Sequence, residues 1–152
     1  MVRFWRNSGP ARDPFDLRRF LEAQETRYQE ACSELERWFK TGHWMWYIFP
    51  QMRGLGNSEY ANRFGISSRA EAEAYALHPV LGERLRKCSG LVTKIEGRTI
   101  EQIFDHPDYL KFFSSMTLFA DASSDNTVFV AALKKYFDGK RDPATIQLLG
   151  KV

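Results

Sequence analysis

Cysteine and histidine are scarce: two Cys and three His occur among 152 residues. Neither cysteine stands in a CxxC pair or near a His at ligand spacing, which argues against a structural zinc site. No cluster of His and acidic residues has metal spacing, and neither metal nor cofactor is expected. Cys32 and Cys88 each fall on the apolar side of a helical pattern, where a reduced core thiol is expected. No apolar run approaches the roughly 18 residues of a membrane span. The start of the chain lacks a secretory apolar region, so a reducing cytoplasm is the expected setting. No low-complexity segment is present. The G-x-S-x-G elbow is missing, which disfavours a hydrolase triad. Charge of one sign is also thin. The formal net charge is +3. The tightest basic cluster, Lys134, Lys135, Lys140 and Arg141, is interrupted by Asp138 and Asp142, a pattern of a solvated helix end rather than a nucleic-acid footprint.

Aromatics are plentiful instead, with 12 Phe, 6 Tyr and 4 Trp. Length predicts a single domain with a real core. Met1 to Arg12 reads as a lead-in whose Phe4 and Trp5 pack back onto a domain spanning 13–150. Strand signals are confined to Met45–Phe49 and Thr127–Ala131, neither with an obvious partner. The fold class expected is therefore all-α, about seven or eight helices with little or no sheet.

Local punctuation supports this reading. Asp13-Pro14 predicts a helix start with Asp as cap and Pro in the first turn. Leu17, Phe20, Leu21, Tyr28, Ala31, Cys32, Leu35, Trp38 and Phe39 then recur at helical steps, with Thr41-Gly42 as the stop. Thr26-x-x-Gln29 offers a capping box that would split this stretch in two. Ser68-x-x-Glu71 and Thr99-x-x-Gln102 predict two further starts. His78-Pro79 predicts a break before a stripe of Leu81, Leu85, Cys88, Val92 and Ile95. Asp105-His106-Pro107 precedes a helix carrying Leu110, Phe113, Met116, Leu118 and Phe119, and Asp142-Pro143 opens the last one. Leu21, Leu35, Leu81, Leu85, Phe113, Met116 and Phe119 are the expected core.

The segment His43-Trp44-Met45-Trp46-Tyr47-Ile48-Phe49-Pro50-Gln51 runs straight into Met52-Arg53-Gly54-Leu55-Gly56-Asn57-Ser58. Trp44, Trp46, Tyr47 and Phe49 fit either a core or the wall of a cleft that stacks on a flat ring. Gly54 and Gly56 would let backbone N–H groups approach a phosphate or carboxylate, with Arg53, Ser58 and Gln51 alongside. The spacing is not that of a P-loop. Glu71, Tyr75 and His78 share one face of a helix, so Glu71 and His78, with His43, are the candidates for moving protons. Glu71 reads equally as the capping partner of Ser68. Ser114 and Ser115 interrupt an apolar helix, either for close packing or to present hydroxyls, and Lys111 lies one turn before Ser115.

Several stretches carry a family resemblance. They are Asp13-Pro14-Phe15-Asp16-Leu17, the His43 to Gln51 segment, Gly54-Leu55-Gly56 and Ser58; Glu71-Ala72 with Tyr75, His78-Pro79-Val80-Leu81-Gly82 and Arg84-Leu85; then Lys111, Ser114-Ser115-Met116-Thr117-Leu118-Phe119, Phe129, Tyr136, Gly139, Asp142 and Thr145. Over roughly residues 13 to 149 the chain resembles the bacterial and fungal family called domain of unknown function 1810. The resemblance implies a mainly helical domain and no established activity. Relatives sometimes carry the label calpastatin, which implies a disordered calpain inhibitor; a globular, aromatic-rich, well-capped chain is the opposite of that composition. A weaker similarity, in general make-up only, is to NADAR-type domains linked to ADP-ribose chemistry.

Two functions follow as expectations. One is an enzyme with a pocket for a nucleotide-like or phosphorylated small molecule, a hydrolase of ADP-ribose-type or glycosidic ribose compounds. In it Trp44, Trp46, Gln51, Gly54, Gly56, Ser58, Tyr75, Lys111, Ser114 and Ser115 bind ligand, and Glu71, His78 and His43 move protons. The alternative is a non-catalytic protein–protein interaction module. No membrane partner is expected.

Overall fold

The computed structural model describes residues 12–150. Phe4 and Trp5 lie outside the described residues. Within them the chain forms ten helices, and the one β feature is an isolated parallel bridge between Met52 and Ile66. In chain order the helices are α1 (Arg18–Glu25), α2 (Tyr28–Glu36), α3 (Met45–Ile48), α4 (Glu59–Phe64) and α5 (Arg69–Leu77). They continue with α6 (Leu81–Lys94), α7 (Ile100–Phe104), α8 (Asp108–Ala122), α9 (Thr127–Phe137) and α10 (Pro143–Gly150). The all-α class holds; the count exceeds seven or eight partly because Met45–Phe49, a strand candidate, closes into the single turn α3. Thr127–Ala131, the other candidate, opens α9.

The caps explain most boundaries. The Ser58, Ser68 and Thr99 hydroxyls accept the N–H groups of Ala61, Glu71 and Gln102, and the Gln102 amide returns to the Thr99 N–H. Asp13 also caps, but across a longer turn. Its carboxylate accepts Leu17 N–H at 2.8 Å and Arg18 N–H at 3.2 Å, while Pro14 sits in the preceding turn rather than in the helix. α1 and α2 do separate, yet Thr26 ends α1 instead of capping α2.

α2 stops at Glu36, well short of Gly42, because Trp38 takes a left-handed conformation at φ 82°. Trp38 and Phe39 thereby leave the helical spacing that would have buried them, and stand 54% and 44% exposed. Leu110, on the outer side of α8, is likewise exposed. Leu21 and Phe113 are only half-buried at the edge of the core, whereas Leu35, Leu81, Leu85, Met116 and Phe119 are buried as expected.

Helices α6 and α8 organise the packing. α9 lies against both, α5 against both from another side, α2 against α6, and α7 and α10 against α8. α1 packs on α3, which leads to α4. The aromatic surplus fills the centre: Phe49 meets Phe104 and Phe112 edge-on, and Phe20 meets Tyr75 in the same way at 5.0 Å.

Candidate functional site

The aromatic segment divides between core and rim. Trp44 is wholly buried, and its indole N–H donates to Glu34 Oε1 at 2.9 Å. Tyr47 and Phe49 are buried too. Trp46 is half-buried, and the Lys111 ammonium sits 3.7 Å from its ring centroid. Lys111 also approaches Asp108 at 3.3 Å, and the other Asp108 oxygen pairs with Lys40 at 2.6 Å. Trp46 and Lys111 are thus brought together, but each occupies the other's binding face.

The candidate proton-moving groups are dispersed. His43 is exposed on the loop before Trp44. His78 links α5 to α6, and its Nδ1 accepts the Val80 and Leu81 N–H groups at 3.0 and 3.2 Å, capping α6. Burial holds the imidazole below its usual protonation range, with Asp13 acting weakly the other way. No hydrogen bond or ion pair joins any two of Glu71, His78 and His43 among the described residues. Tyr75 is enclosed in the core; its hydroxyl accepts Gln24 Nε2 at 3.0 Å and donates to the Tyr47 carbonyl at 3.4 Å. Burial pushes this phenol up.

The small polar residues act structurally where their partners are visible. Ser114 donates to Asp142 at 2.7 Å, and Thr145 donates to the same oxygen at 2.6 Å, which docks the start of α10 on α8. The Ser115 hydroxyl is buried without a hydrogen-bond partner among the described residues. The Ser58 hydroxyl is spent on its cap. Gln51 is buried, and its carbonyl accepts the Ile66 N–H while Arg53 N–H returns to the Ile66 carbonyl. Gly54, at φ 106°, turns the loop back towards Leu148, and Gly56 lies against Ala61.

Closing that loop at Ile66 has a consequence for Arg53. It sets Arg53 and Arg63, from the end of α4, beside Arg19 of α1 and Glu71 of α5. Together with Pro14, Phe15, Asp16, Glu22, Asn62 and Ser67 they line an open concavity of about 530 Å³. Arg19 is fully engaged. It donates to the carbonyls of Phe15, Asp16, Arg63 and Gly65 and pairs with Glu71 Oε2 at 2.7 Å. The other Glu71 oxygen accepts both the N–H and the hydroxyl of Ser67, so the buried carboxylate is satisfied. The expected capping box is displaced by one residue: Ser68 caps Glu71, but Glu71 reaches back to Ser67.

Arg53 donates to the Asn62 and Gly65 carbonyls. A side chain at Gly65 would collide with Arg53 and with the Ala61 carbonyl at 2.7 Å. Arg63 is different. Its guanidinium lies 5.2 Å from the Phe64 ring centroid and donates to no protein group among the described residues. Arg19, Arg63, Asn62 and Ser67 carry no sequence signal of this site. Each reads locally as a helix-surface or loop residue, and only the assembly of α1, α4 and α5 makes them neighbours.

Among the described residues, no helix is long and apolar enough to cross a membrane. A family model described as "Protein of unknown function (DUF1810)" matches residues 14–149. Among solved structures, the chain is similar to the conserved hypothetical protein Rv1873 from Mycobacterium tuberculosis. It shares 54% identity with that protein, over 91% of this chain and 99% of that one, at a TM-score of 0.89. No match is found among the curated proteins. With the family model covering nearly the whole described fold, the chain belongs to the DUF1810 family of proteins of unknown function.

Proposed function

We propose that this protein binds a small phosphorylated or carboxylate-bearing molecule in the concavity between Arg53 and Arg63. The observation that carries the reading is the Arg63 guanidinium. It lines a 530 Å³ concavity and donates to no protein group among the described residues, while the neighbouring Glu71 is already neutralised by Arg19. A planar guanidinium suits bidentate contact with phosphate or carboxylate. Arg53 and the Asn62 side chain stand beside it, and Phe15 and Pro14 supply an apolar wall for a ring, as in a nucleotide-like ligand. Hydrolysis of an ADP-ribose-type compound would extend this reading. It draws on the general similarity to NADAR-type domains alone, because Glu71 and His78 are committed to structural hydrogen bonds.

The test is a thermal-shift and calorimetric series with inorganic phosphate, ribose 5-phosphate, AMP and ADP-ribose, on wild type and Arg63→Ala. A ligand of the folded state raises the apparent Tm by mass action. Loss of one charge-assisted contact weakens binding by about tenfold or more. Absence of any shift, or equal binding by the variant, overturns the reading.

A second reading, the non-catalytic interaction module, is favoured by one observation: the adjoining side chains Trp38 and Phe39 are both exposed. Sedimentation of the purified chain with and without Trp38→Ala tests for self-association through this patch.

A further inference from the structure

The concavity that Arg63 lines also holds charge of the other sign. Asp16, in the turn before α1, and Glu22, on α1, both belong to its wall. Neither carboxylate accepts a hydrogen bond or joins an ion pair among the described residues. Arg19 lies between them in the chain but serves neither carboxylate. Its guanidinium is spent on the carbonyls of Phe15, Asp16, Arg63 and Gly65 and on Glu71 Oε2 at 2.7 Å.

Of the charges in this wall, Arg19 and Glu71 cancel, and a balanced remainder is left. Arg53 donates through Nε and one terminal nitrogen to the Asn62 and Gly65 carbonyls, and its other terminal nitrogen keeps its N–H groups. Arg63 donates to no protein group among the described residues. Two guanidinium groups thus line the concavity with donors to spare, and two carboxylates line it with acceptors to spare. A purely anionic ligand held by Arg63 would lie in the field of Asp16 and Glu22, and like-charge repulsion would cost it affinity. A ligand that carries an ammonium as well as an anion meets both signs, and its ammonium supplies the donors that the carboxylates lack. Pro14 and Phe15 add an apolar stretch to the same wall.

We propose that the ligand of this concavity, resting on Arg63 as the anion contact proposed above, is a small zwitterion of the amino-acid type. Its carboxylate is held by Arg63 and Arg53, its ammonium by Asp16 and Glu22, and its side chain lies against Phe15. A free amino acid and a short peptide share this chemistry, a carboxylate and an ammonium on one small molecule.

Calorimetric titration of the full chain compares four probes. L-phenylalanine and the dipeptide glycyl-L-phenylalanine carry both charges, N-acetyl-L-phenylalanine keeps the carboxylate alone, and L-phenylalanine amide keeps the ammonium alone. The better zwitterion should bind about tenfold or more tighter than either single-charge form. Tighter binding by the dipeptide assigns a peptide-type ligand, and the reverse a free amino acid; either supports the proposal. The double variant Asp16→Asn, Glu22→Gln alters two side chains that hold no protein group, and Asn tolerates the left-handed φ of 53° at position 16. It should erase the zwitterion's advantage and leave the N-acetyl form bound no more weakly than before. Arg63→Ala should weaken both. The proposal is overturned if the N-acetyl form binds wild type as tightly as the zwitterions, if the double variant keeps their advantage, or if neither zwitterion binds. The anion site itself still stands if the N-acetyl form or inorganic phosphate binds and Arg63→Ala abolishes that binding. If no anion binds at all, both readings fall.

Discussion

Glu34 Oε1 accepts the Trp44 indole N–H at 2.9 Å, and the same oxygen accepts the backbone N–H groups of Thr41 and Gly42 at 2.8 and 2.9 Å. A single buried carboxylate near the end of α2 thus anchors the loop that carries the aromatic segment. A Cβ at Gly42 would make the Glu30 carboxylate swing aside and would crowd the buried Trp44 ring at 2.9 Å. Replacing Glu34 by Ala strands these donors and should cost about 1–3 kcal/mol in chemical denaturation. Glu34→Gln keeps an acceptor and should cost less.

Glu34 also predicts an acid dependence. Burial pushes its carboxyl up, but the hydrogen bonds from Gly42, Thr41 and Trp44 together outweigh it and hold the group below its ordinary value of 4.5. A lowered folded value means stability that is present above 4.5 and lost as pH falls through the folded value. Urea titrations across the acid range should show a flatter decline for Glu34→Gln than for wild type. Identical declines would show that Glu34 contributes no such linkage.

The Arg19–Glu71 pair should respond asymmetrically to truncation. Glu71→Ala leaves Arg19 with four carbonyl acceptors, whereas Arg19→Ala removes the side-chain donor from those carbonyls, of which Gly65 keeps Arg53 and Asp16 keeps a backbone N–H, and leaves Glu71 charged in a buried place. Breaking a buried pair from its costlier side is expected to lose about 3–5 kcal/mol. Equilibrium unfolding should rank Arg19→Ala as the less stable variant; the reverse ranking would contradict this account.

His78 gives a dependence nearer neutrality. Its folded-state value is depressed, so its contribution is present above the unfolded value of about 6.5 and is lost as pH falls through the lower folded value. Protonation would also remove the Nδ1 acceptor that caps α6. His78→Asn supplies a cap oxygen that does not titrate. Its Tm should vary less than wild type between about pH 7 and pH 5.

Trp38 at φ 82° pays a conformational penalty for a bulky side chain. Trp38→Gly should therefore be more stable than Trp38→Ala by about 1 kcal/mol, because both lose the ring and only glycine relieves the backbone. Equal unfolding midpoints would place the left-handed strain elsewhere.

Helical class and most helix starts were determined by the sequence alone, because capping and apolar periodicity act over three or four residues. Ser58, Ser68, Thr99 and Asp142 mark starts by chemistry that a neighbour three positions on can complete, and Leu81, Leu85 and Cys88 state their buried face by spacing. Local signals misled where one backbone angle changed the register: Trp38 and Phe39 continue a valid stripe, but the left-handed turn at Trp38 sends both to solvent. Only the tertiary structure decided which aromatics are core, since Trp44 and Trp46 look alike in sequence and differ by whether Glu34 or Lys111 faces them. It also decided that Arg19, Arg53 and Arg63 share a concavity with Glu71. Those partners lie tens of residues apart, and contacts at that separation arise from helix packing, which leaves no mark on the residues next to them in the chain.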